Sequence, residues 1–191
     1  MFARLLAAFL ALFTKKPNTV AAPLPTYTPT PEPVKRPTGK GAAIGGVAGA
    51  ATIAAIVAFI GPWEGRRYTA YQDIVGVWTI CEGHTKGVKA GDVATDAQCD
   101  EMAAQDVAEH NAGIRACITR PMPQNVEIAF TSLAFNAGVG AFCGSTALKR
   151  YNAGDDTGAC DALNMWVRAG GKVVKGLVNR RAAESALCKK D

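Results

Sequence analysis

The hydrophobic pattern of the chain changes three times before it becomes that of a folded domain. An apolar run at residues 5–13 is followed by a polar stretch at residues 17–40, which holds seven of the ten prolines. Residues 41–60 then form a run of 20 residues without charge or proline. From Trp63 onward, apolar and polar positions are mixed as in a globular protein. The pattern predicts four segments: a short apolar segment at 1–16, an extended linker at 17–40, a membrane helix at 41–60 and a folded domain at 61–191.

The folded domain shows both strand and helix patterns. Residues 71–85 mix aromatic and β-branched side chains with glycines, which predicts short strands joined by turns. Thr95 and Gln98 have the spacing of a capping box, which predicts a helix that continues to about residue 110. Four further helices are predicted between glycine-rich joints, at residues 124–137, 145–152, 156–169 and 177–188. The fold class is therefore α+β, with a small sheet lobe and a helical lobe.

Residues 41–60 are long enough to cross a membrane. A helix of 20 residues is about 30 Å long, which matches the hydrocarbon core of a bilayer. Basic residues precede it at Lys35, Arg36 and Lys40, so the positive-inside rule predicts a cytoplasmic N-terminus and an exported domain. Twelve of the twenty residues are glycine or alanine, so the segment is only weakly hydrophobic.

Two interpretations of this weak hydrophobicity remain open. A permanent anchor could pack through the small face formed by Gly41, Gly45 and Gly49. A helix that can leave the membrane is the favoured alternative, because apolarity sets the cost of leaving. The shorter apolar run at residues 5–13 cannot span a bilayer, and could be a signal-peptide core or an interfacial anchor.

The net charge of +5 does not indicate a nucleic-acid partner. Residues 1–62 hold six basic groups and one acidic group, so residues 63–191 hold 15 of each and are neutral. A nucleic-acid-binding domain would need a basic face on its folded part. The excess charge lies beside the predicted membrane helix and bears on its orientation.

Six cysteines lie in the neutral domain, and their even number favours disulfide bonds in an oxidising compartment. Fifteen pairings are possible, so the connectivity does not follow from the sequence. We take sequential pairing as a hypothesis, with buried free thiols as the alternative. The hypothetical pairs are Cys81–Cys99, Cys117–Cys143 and Cys160–Cys188. No CxxC pair occurs and the chain has two histidines, so we expect no metal site.

Two carboxylates and a hydroxyl stand close together at the start of the domain. Glu64, Asp73 and Thr79 are nine and six residues apart, which allows Asp73 on a hairpin to face Glu64 across a cleft. Hydrolysis of a glycosidic bond needs one carboxylic acid to protonate the leaving oxygen, and one carboxylate to handle water or the developing cation. This segment resembles the active-site segment of phage-type lysozymes, glycoside hydrolase family 24, whose Glu, Asp and Thr keep this spacing.

The resemblance continues in order through residues 134–138, 140–146, 166–171 and 176–181. It implies a lysozyme-like fold and a muramidase that hydrolyses β-1,4 bonds between N-acetylmuramic acid and N-acetylglucosamine in peptidoglycan. Glu64 would be the general acid, Asp73 the ionised partner, and Thr79 the residue that holds the water. No organic cofactor is implied.

The same alignment implies roles for four other residues. Phe135 and Ser145 fall at saccharide contacts, although a position in the helix core is an equal alternative for Phe135. Arg180 falls where an arginine approaches the catalytic Glu, with a surface charge as the alternative. His84 lies in a family turn and is expected to be structural.

The resemblance also extends to phage lysis enzymes of the signal-arrest-release type. It implies insertion by the host export machinery, tethering to the host inner membrane through residues 41–60, and action in the periplasm after release. Three residues separate Ile60 from Glu64, so a membrane-embedded helix would hold Glu64 at the membrane surface. We therefore expect the tethered form to be inactive.

Several alternatives lie outside this interpretation. A membrane-anchored protein could bind peptidoglycan without turnover, and a true lysozyme could belong to a bacterial envelope or a virion. A cysteine peptidase using Cys81 and His84 is disfavoured, because such dyads usually come from distant parts of a fold. Nucleotide binding by the glycine-rich residues 41–49 is excluded, since no Lys-Ser/Thr follows them.

Overall fold

The computed structural model describes residues 48–73 and 75–190. The segments predicted at residues 1–16 and 17–40, and the first seven residues of the predicted membrane helix, lie outside this part of the chain. Within the described part, no helix is both long and apolar enough to cross a bilayer. What the structure describes of residues 41–60 contains the 11-residue helix α1 (Ala50–Ile60), followed by a 3₁₀ turn at Gly61–Trp63.

One face of α1 is buried within the domain. Ile56 and Ile60 lie fully inside, in one cluster with Val107. Partly buried side chains pack around them, namely Ile53, Val57, Ile128 and Phe135. Through this cluster α1 packs on the two long helices that carry Val107 and Phe135. It is therefore an integral helix of the folded domain.

The small lobe is an antiparallel strand pair, β1 (Arg67–Gln72) and β2 (Trp78–Cys81). Tyr71 pairs with Thr79, and a register shift earlier in β1 produces a bulge. Strand β1 begins before the predicted strand region at residues 71–85. The extra length carries the chain from the end of the 3₁₀ turn directly into the sheet.

Helices form the larger lobe. Their bounds are α2 (Asp96–Arg115), α3 (Gln124–Ala137), α4 (Val139–Cys143), α5 (Thr146–Asn152), α6 (Asp156–Ala162) and α7 (Lys175–Cys188). The predicted capping box is present, because Thr95 accepts from the backbone of Gln98 and the Gln98 side chain accepts from the backbone of Thr95. Helix α2 continues five residues past the predicted end at residue 110, and α3 has the predicted bounds.

The helix predicted at residues 156–169 is wrong beyond residue 162. A 3₁₀ turn at Leu163–Met165 follows α6, and the chain then forms a short hairpin of β3 (Arg168–Ala169) and β4 (Lys172–Val173). Gly170 and Gly171 have φ values of 54° and 77°, a conformation that favours glycine and closes the hairpin turn.

The core of the helical lobe is built around Phe130 of α3. Its ring lies 5.1 Å from that of Phe142, and it meets the Tyr151 ring edge-on at 5.3 Å. Helix α7 packs along α3 and brings polar side chains of α7 against the polar face of α3. This contact builds the candidate site described below.

Three disulfide bonds join the elements, Cys81–Cys99, Cys117–Cys143 and Cys160–Cys188. The sequential pairing proposed from the sequence is therefore confirmed. The first joins the strand pair to α2, the second joins the end of α2 to α4, and the third joins α6 to the end of α7. Each one closes a loop of 18 to 28 residues.

Removal of the Cys160–Cys188 disulfide should destabilise the helical lobe. A cross-link that closes a loop of 28 residues destabilises the unfolded chain by about 3.6 kcal/mol. We expect the Cys160→Ser, Cys188→Ser double variant to lose roughly this free energy of unfolding in urea denaturation. A midpoint equal to that of the wild type would show that the bond does not constrain the fold.

Candidate active site

Glu64 is positioned by the end of α1. The 3₁₀ turn at Gly61–Trp63 contains Pro62 in its first turn, and the backbone N–H of Glu64 donates to the Gly61 carbonyl at 3.2 Å. Glu64 itself has extended backbone angles, so the chain leaves the turn there and enters the sheet. The position of the carboxyl group therefore depends on α1 being packed in place.

Arg180 of α7 contacts Glu64 directly. Its Nη1 lies 2.6 Å from Oε1 of Glu64, and the arginine side chain is 4% exposed whereas the Glu64 side chain is 22% exposed. The guanidinium also donates to the Ser132 carbonyl at 3.2 Å. The contact between Arg180 and Glu64 expected from the family alignment is thus present in the structure. This contact holds Oε1 of the carboxyl group in place against α7.

Asp73 lies in the turn between β1 and β2. Its Oδ1 accepts from the backbone N–H groups of Val75 and Val77, each at 2.9 Å. Its backbone N–H also donates to the Val77 carbonyl at 3.0 Å. These bonds close the hairpin and hold the carboxylate by one oxygen. The other oxygen, Oδ2, has no hydrogen-bond partner within residues 48–73 and 75–190.

Thr79 is the buried neighbour of this turn on β2. Its hydroxyl donates to the Val77 carbonyl at 3.0 Å, and the residue pairs with Tyr71 on β1. A hydroxyl that donates one bond can still accept two. Asp73 and Thr79 are thus held at the same end of the strand pair through shared contacts with Val77.

His84 ties the small lobe to α2. Its Nδ1 lies 2.9 Å from Oδ2 of Asp106, and its Nε2 lies 3.1 Å from the Lys86 carbonyl. Both partners are acceptors, so the ring satisfies both contacts only when both nitrogens carry protons. The hydrogen bond to Asp106 is the main reason that the pKa of His84 is raised. This geometry supports the structural role expected from the sequence.

Phe135 and Ser145 are both occupied by contacts within the protein. Phe135 packs in the cluster around Ile56, and its ring lies 5.0 Å from that of His110. Ser145 is buried and caps α5, where its hydroxyl accepts from the Leu148 backbone N–H at 3.1 Å. These contacts explain the positions of both side chains without a bound saccharide.

The sequence analysis did not identify Glu184 and Arg181, which lie next to Arg180. Glu184 is 0% exposed and accepts from Arg180 Nε at 3.2 Å, from Arg181 Nη1 at 2.5 Å and from the Ser132 hydroxyl at 2.6 Å. Burial raises the pKa of Glu184, and both arginines and the serine oppose that rise. The sequence does contain a signal for this cluster: Glu184 follows Arg181 by three residues and Arg180 by four, and this spacing brings side chains together on one face of a helix.

One cluster of potential metal ligands occurs in the described part of the chain. Cys81, Glu82 and Cys99 place one ligand atom each within 4.8 Å of one another. Both sulfurs belong to the same disulfide, and the thiolate, not the disulfide, is the form that binds metals. The cluster therefore lacks the donors that it would need.

The raised pKa of His84 predicts a pH-dependent stability. The protonated ring contributes fully below the unfolded-state pKa of about 6.5, and its contribution is lost as the pH rises through the folded-state value. We expect the free energy of unfolding to fall as the pH rises above about 6.5, and the His84→Gln variant to lose this part of the pH dependence. Urea denaturation at several pH values tests this, and equal slopes for the two proteins would contradict it.

Comparison with known proteins gives one consistent result. The phage lysozyme family model matches residues 61–184. The chain is 42% identical over 153 residues to the SAR-endolysin of Enterobacteria phage P21, which covers 77% of this chain and 91% of that protein.

Solved structures agree with this match. The muramidase domain of SpmX from Asticaccaulis excentricus is 32% identical with a TM-score of 0.68, covering 72% of this chain and 96% of that one. The active form of the P1 phage endolysin Lyz is 28% identical with a TM-score of 0.62, covering 74% and 94%. Together with the lysozyme-like arrangement of strand pair and helices, the family match is decisive: the chain belongs to the phage lysozyme family.

Proposed function

We propose that this phage endolysin, a muramidase, uses Glu64 as the general acid that protonates the glycosidic oxygen of peptidoglycan. The observation that carries the proposal is the asymmetric environment of the Glu64 carboxyl group. Arg180 donates to Oε1 at 2.6 Å, and a guanidinium has no acceptor for a proton. The unprotonated carbonyl oxygen is the better acceptor for this charge-assisted bond, so we assign the acidic proton to Oε2. Glu64 is thus oriented to donate from a single, defined oxygen.

Asp73 and Thr79 act together on the water molecule and on the anomeric carbon. Two backbone N–H groups hold Oδ1 of Asp73, which leaves Oδ2 to orient a water molecule or to stabilise positive charge at the anomeric carbon. The Thr79 hydroxyl is fixed by the Val77 carbonyl and offers its lone pairs to the same water. The hairpin is therefore a rigid support for the nucleophilic side of the reaction.

Saccharide contacts at Phe135 and Ser145 remain proposals that rest on the family alignment. The Ser145 hydroxyl already satisfies a helix N-terminus, and the Phe135 ring is part of the cluster that receives α1. The glycan is expected to be recognised mainly between the strand pair and the 3₁₀ turn that carries Glu64. Peptidoglycan as substrate follows from the family.

Tethering to the host inner membrane is proposed from the sequence of residues 41–60 and from the relative named SAR-endolysin. The host export machinery would insert this segment with the N-terminus in the cytoplasm, and the catalytic domain would face the periplasm. Residues 50–60 cannot lie in the bilayer and pack on α2 and α3 at the same time. The tethered and the folded arrangements therefore exclude each other.

This exclusion supports an inactive tethered form. When α1 is in the bilayer, the buried positions of Ile56 and Ile60 are empty and Glu64 lacks the turn that places it beside Arg180. On release, α1 would pack on the domain and complete the site. Residues 41–60 contain no cysteine, so this activation would depend on packing and not on a disulfide exchange with the released segment.

Replacement of the proposed acid gives the first test. We expect Glu64→Gln to lower the turnover of purified peptidoglycan by at least about a hundredfold, because an amide cannot donate the required proton. The matched control is Glu101→Gln, which changes an exposed side chain on α2 and should retain wild-type turnover. Release of reducing sugars measures both.

Unchanged turnover by Glu64→Gln would remove Glu64 from the mechanism. Inactivity of the wild type itself, with binding to peptidoglycan retained, would instead support the alternative of a binding protein without turnover.

Truncation tests the role of α1. The hydrophobic pattern predicts a domain at residues 61–191, but the burial of Ile56 and Ile60 predicts that residues 48–191 are needed. Loss of one buried isoleucine alone costs about 2 to 5 kcal/mol. We expect residues 48–191 to be stable and active in the absence of membranes, and residues 61–191 to be strongly destabilised. Equal thermal stability and activity of the two proteins would contradict the proposed activation.

A further inference from the structure

A chain of buried charges continues from Glu64 into the protein. Glu64 contacts Arg180, Arg180 contacts Glu184, and Glu184 contacts Arg181. Arg181 also donates to the side-chain oxygen of Asn136. We call these four charged residues, Glu64, Arg180, Glu184 and Arg181, the buried ion network. Glu184 and both arginines are buried, so water cannot screen their charges.

Stability alone does not explain this network. A buried ion pair gains little over well-packed apolar side chains, because removing both charges from water costs about as much as their attraction returns. A network that ends at the proposed general acid is therefore better explained by the chemistry of that acid. A general acid must carry a proton, and a guanidinium lies 2.6 Å from the proposed acid.

Arg180 has two opposing effects on the acid. Its hydrogen bond orients the carboxyl group, but its positive charge favours the ionised carboxylate over the acid. A second carboxylate on the far side of the same guanidinium compensates that charge. Glu184 is in this position, since it accepts from Nε of Arg180 while Glu64 accepts from Nη1.

We propose that Glu184 is a positioning residue for the muramidase reaction, whose negative charge compensates Arg180 so that the guanidinium can orient Glu64 without removing its proton. Ser132 fixes the Glu184 carboxylate with a hydrogen bond of 2.6 Å. Arg181 shares the same carboxylate at 2.5 Å and so limits how much negative charge Arg180 receives. The proposal rests on Glu64 being the general acid.

Within the described residues, the charged members of this network come from two parts of the chain. Glu64 follows α1, and the other three members of the network lie on α7. Helix α3 contributes the neutral groups Ser132 and Asn136 to these contacts. Removal of a charge from α7 should therefore shift the pH at which the proposed acid Glu64 loses its proton, in a direction set by the sign of the removed charge.

The test is the pH profile of kcat/KM for peptidoglycan, measured on the full-length chain in nonionic detergent with its disulfides intact. In Glu184→Gln, Arg180 is no longer compensated, so the alkaline limb should move to lower pH by about one unit. In Arg181→Gln, the whole negative charge of Glu184 acts on Arg180, so the alkaline limb should move to higher pH. A purely structural role would lower the rate at every pH without opposite shifts.

Unshifted profiles, or shifts in the same direction, would overturn the proposal. Near-UV circular dichroism establishes that each variant is folded. If the two charge variants do not fold, Glu184→Asp decides, because it keeps the negative charge but draws the carboxylate back from Arg180 by one methylene group. Its alkaline limb should move to lower pH by a few tenths of a unit, and an unshifted limb would overturn the proposal.

Glu64→Gln separates this proposal from the proposed function. If that variant is inactive and the Glu184→Gln profile is unshifted, Glu64 remains the acid and only the role of Glu184 fails. If Glu64→Gln keeps wild-type turnover, both proposals fail together.

Discussion

The packing of α1 (Ala50–Ile60) on α2 and α3 is the constraint on which the site depends. Burial of two isoleucines, Ile56 and Ile60, stabilises this arrangement by about 1.5 to 3 kcal/mol for each side chain. Residues 41–60 contain seven Ile, Val and Phe residues, which favour a bilayer by a total of about 2 to 4 kcal/mol. The two free energies are similar in size, which supports the proposed transfer of this segment from the membrane to the folded domain.

Placement of α1 is coupled to the electrostatics of the site through Glu64. The turn after α1 brings the carboxyl group to Arg180, whose other partners lie on α3 and α7. An arginine that is almost completely buried has a charge that must be met by carboxylates. Glu184 supplies this negative charge, and Glu64, as the proposed acid, accepts a hydrogen bond from Arg180 once α1 is in place. The packing of α1 thus completes the geometry of a site whose arginine is already compensated by Glu184.

Much of this arrangement could be predicted from the sequence, and the misses have physical causes. The capping box at Thr95 and the helix at Gln124–Ala137 follow from local patterns that tertiary contacts reinforce. The helix predicted at residues 156–169 fails because Gly170 and Gly171 serve a hairpin turn, and a helical pattern does not reveal that turn. Glu184 was missed because its role depends on α7 packing against α3, which periodicity alone does not specify.

Direct observation of α1 in its two environments tests the central claim. Spin labels at residues 54 and 124, exposed positions on α1 and α3, report the distance between these helices in vesicles before and after release. The account predicts one short distance in the released, active enzyme and a longer, broader distribution while the chain is tethered. Full activity with the long distribution, or a short distance in both states, would contradict it.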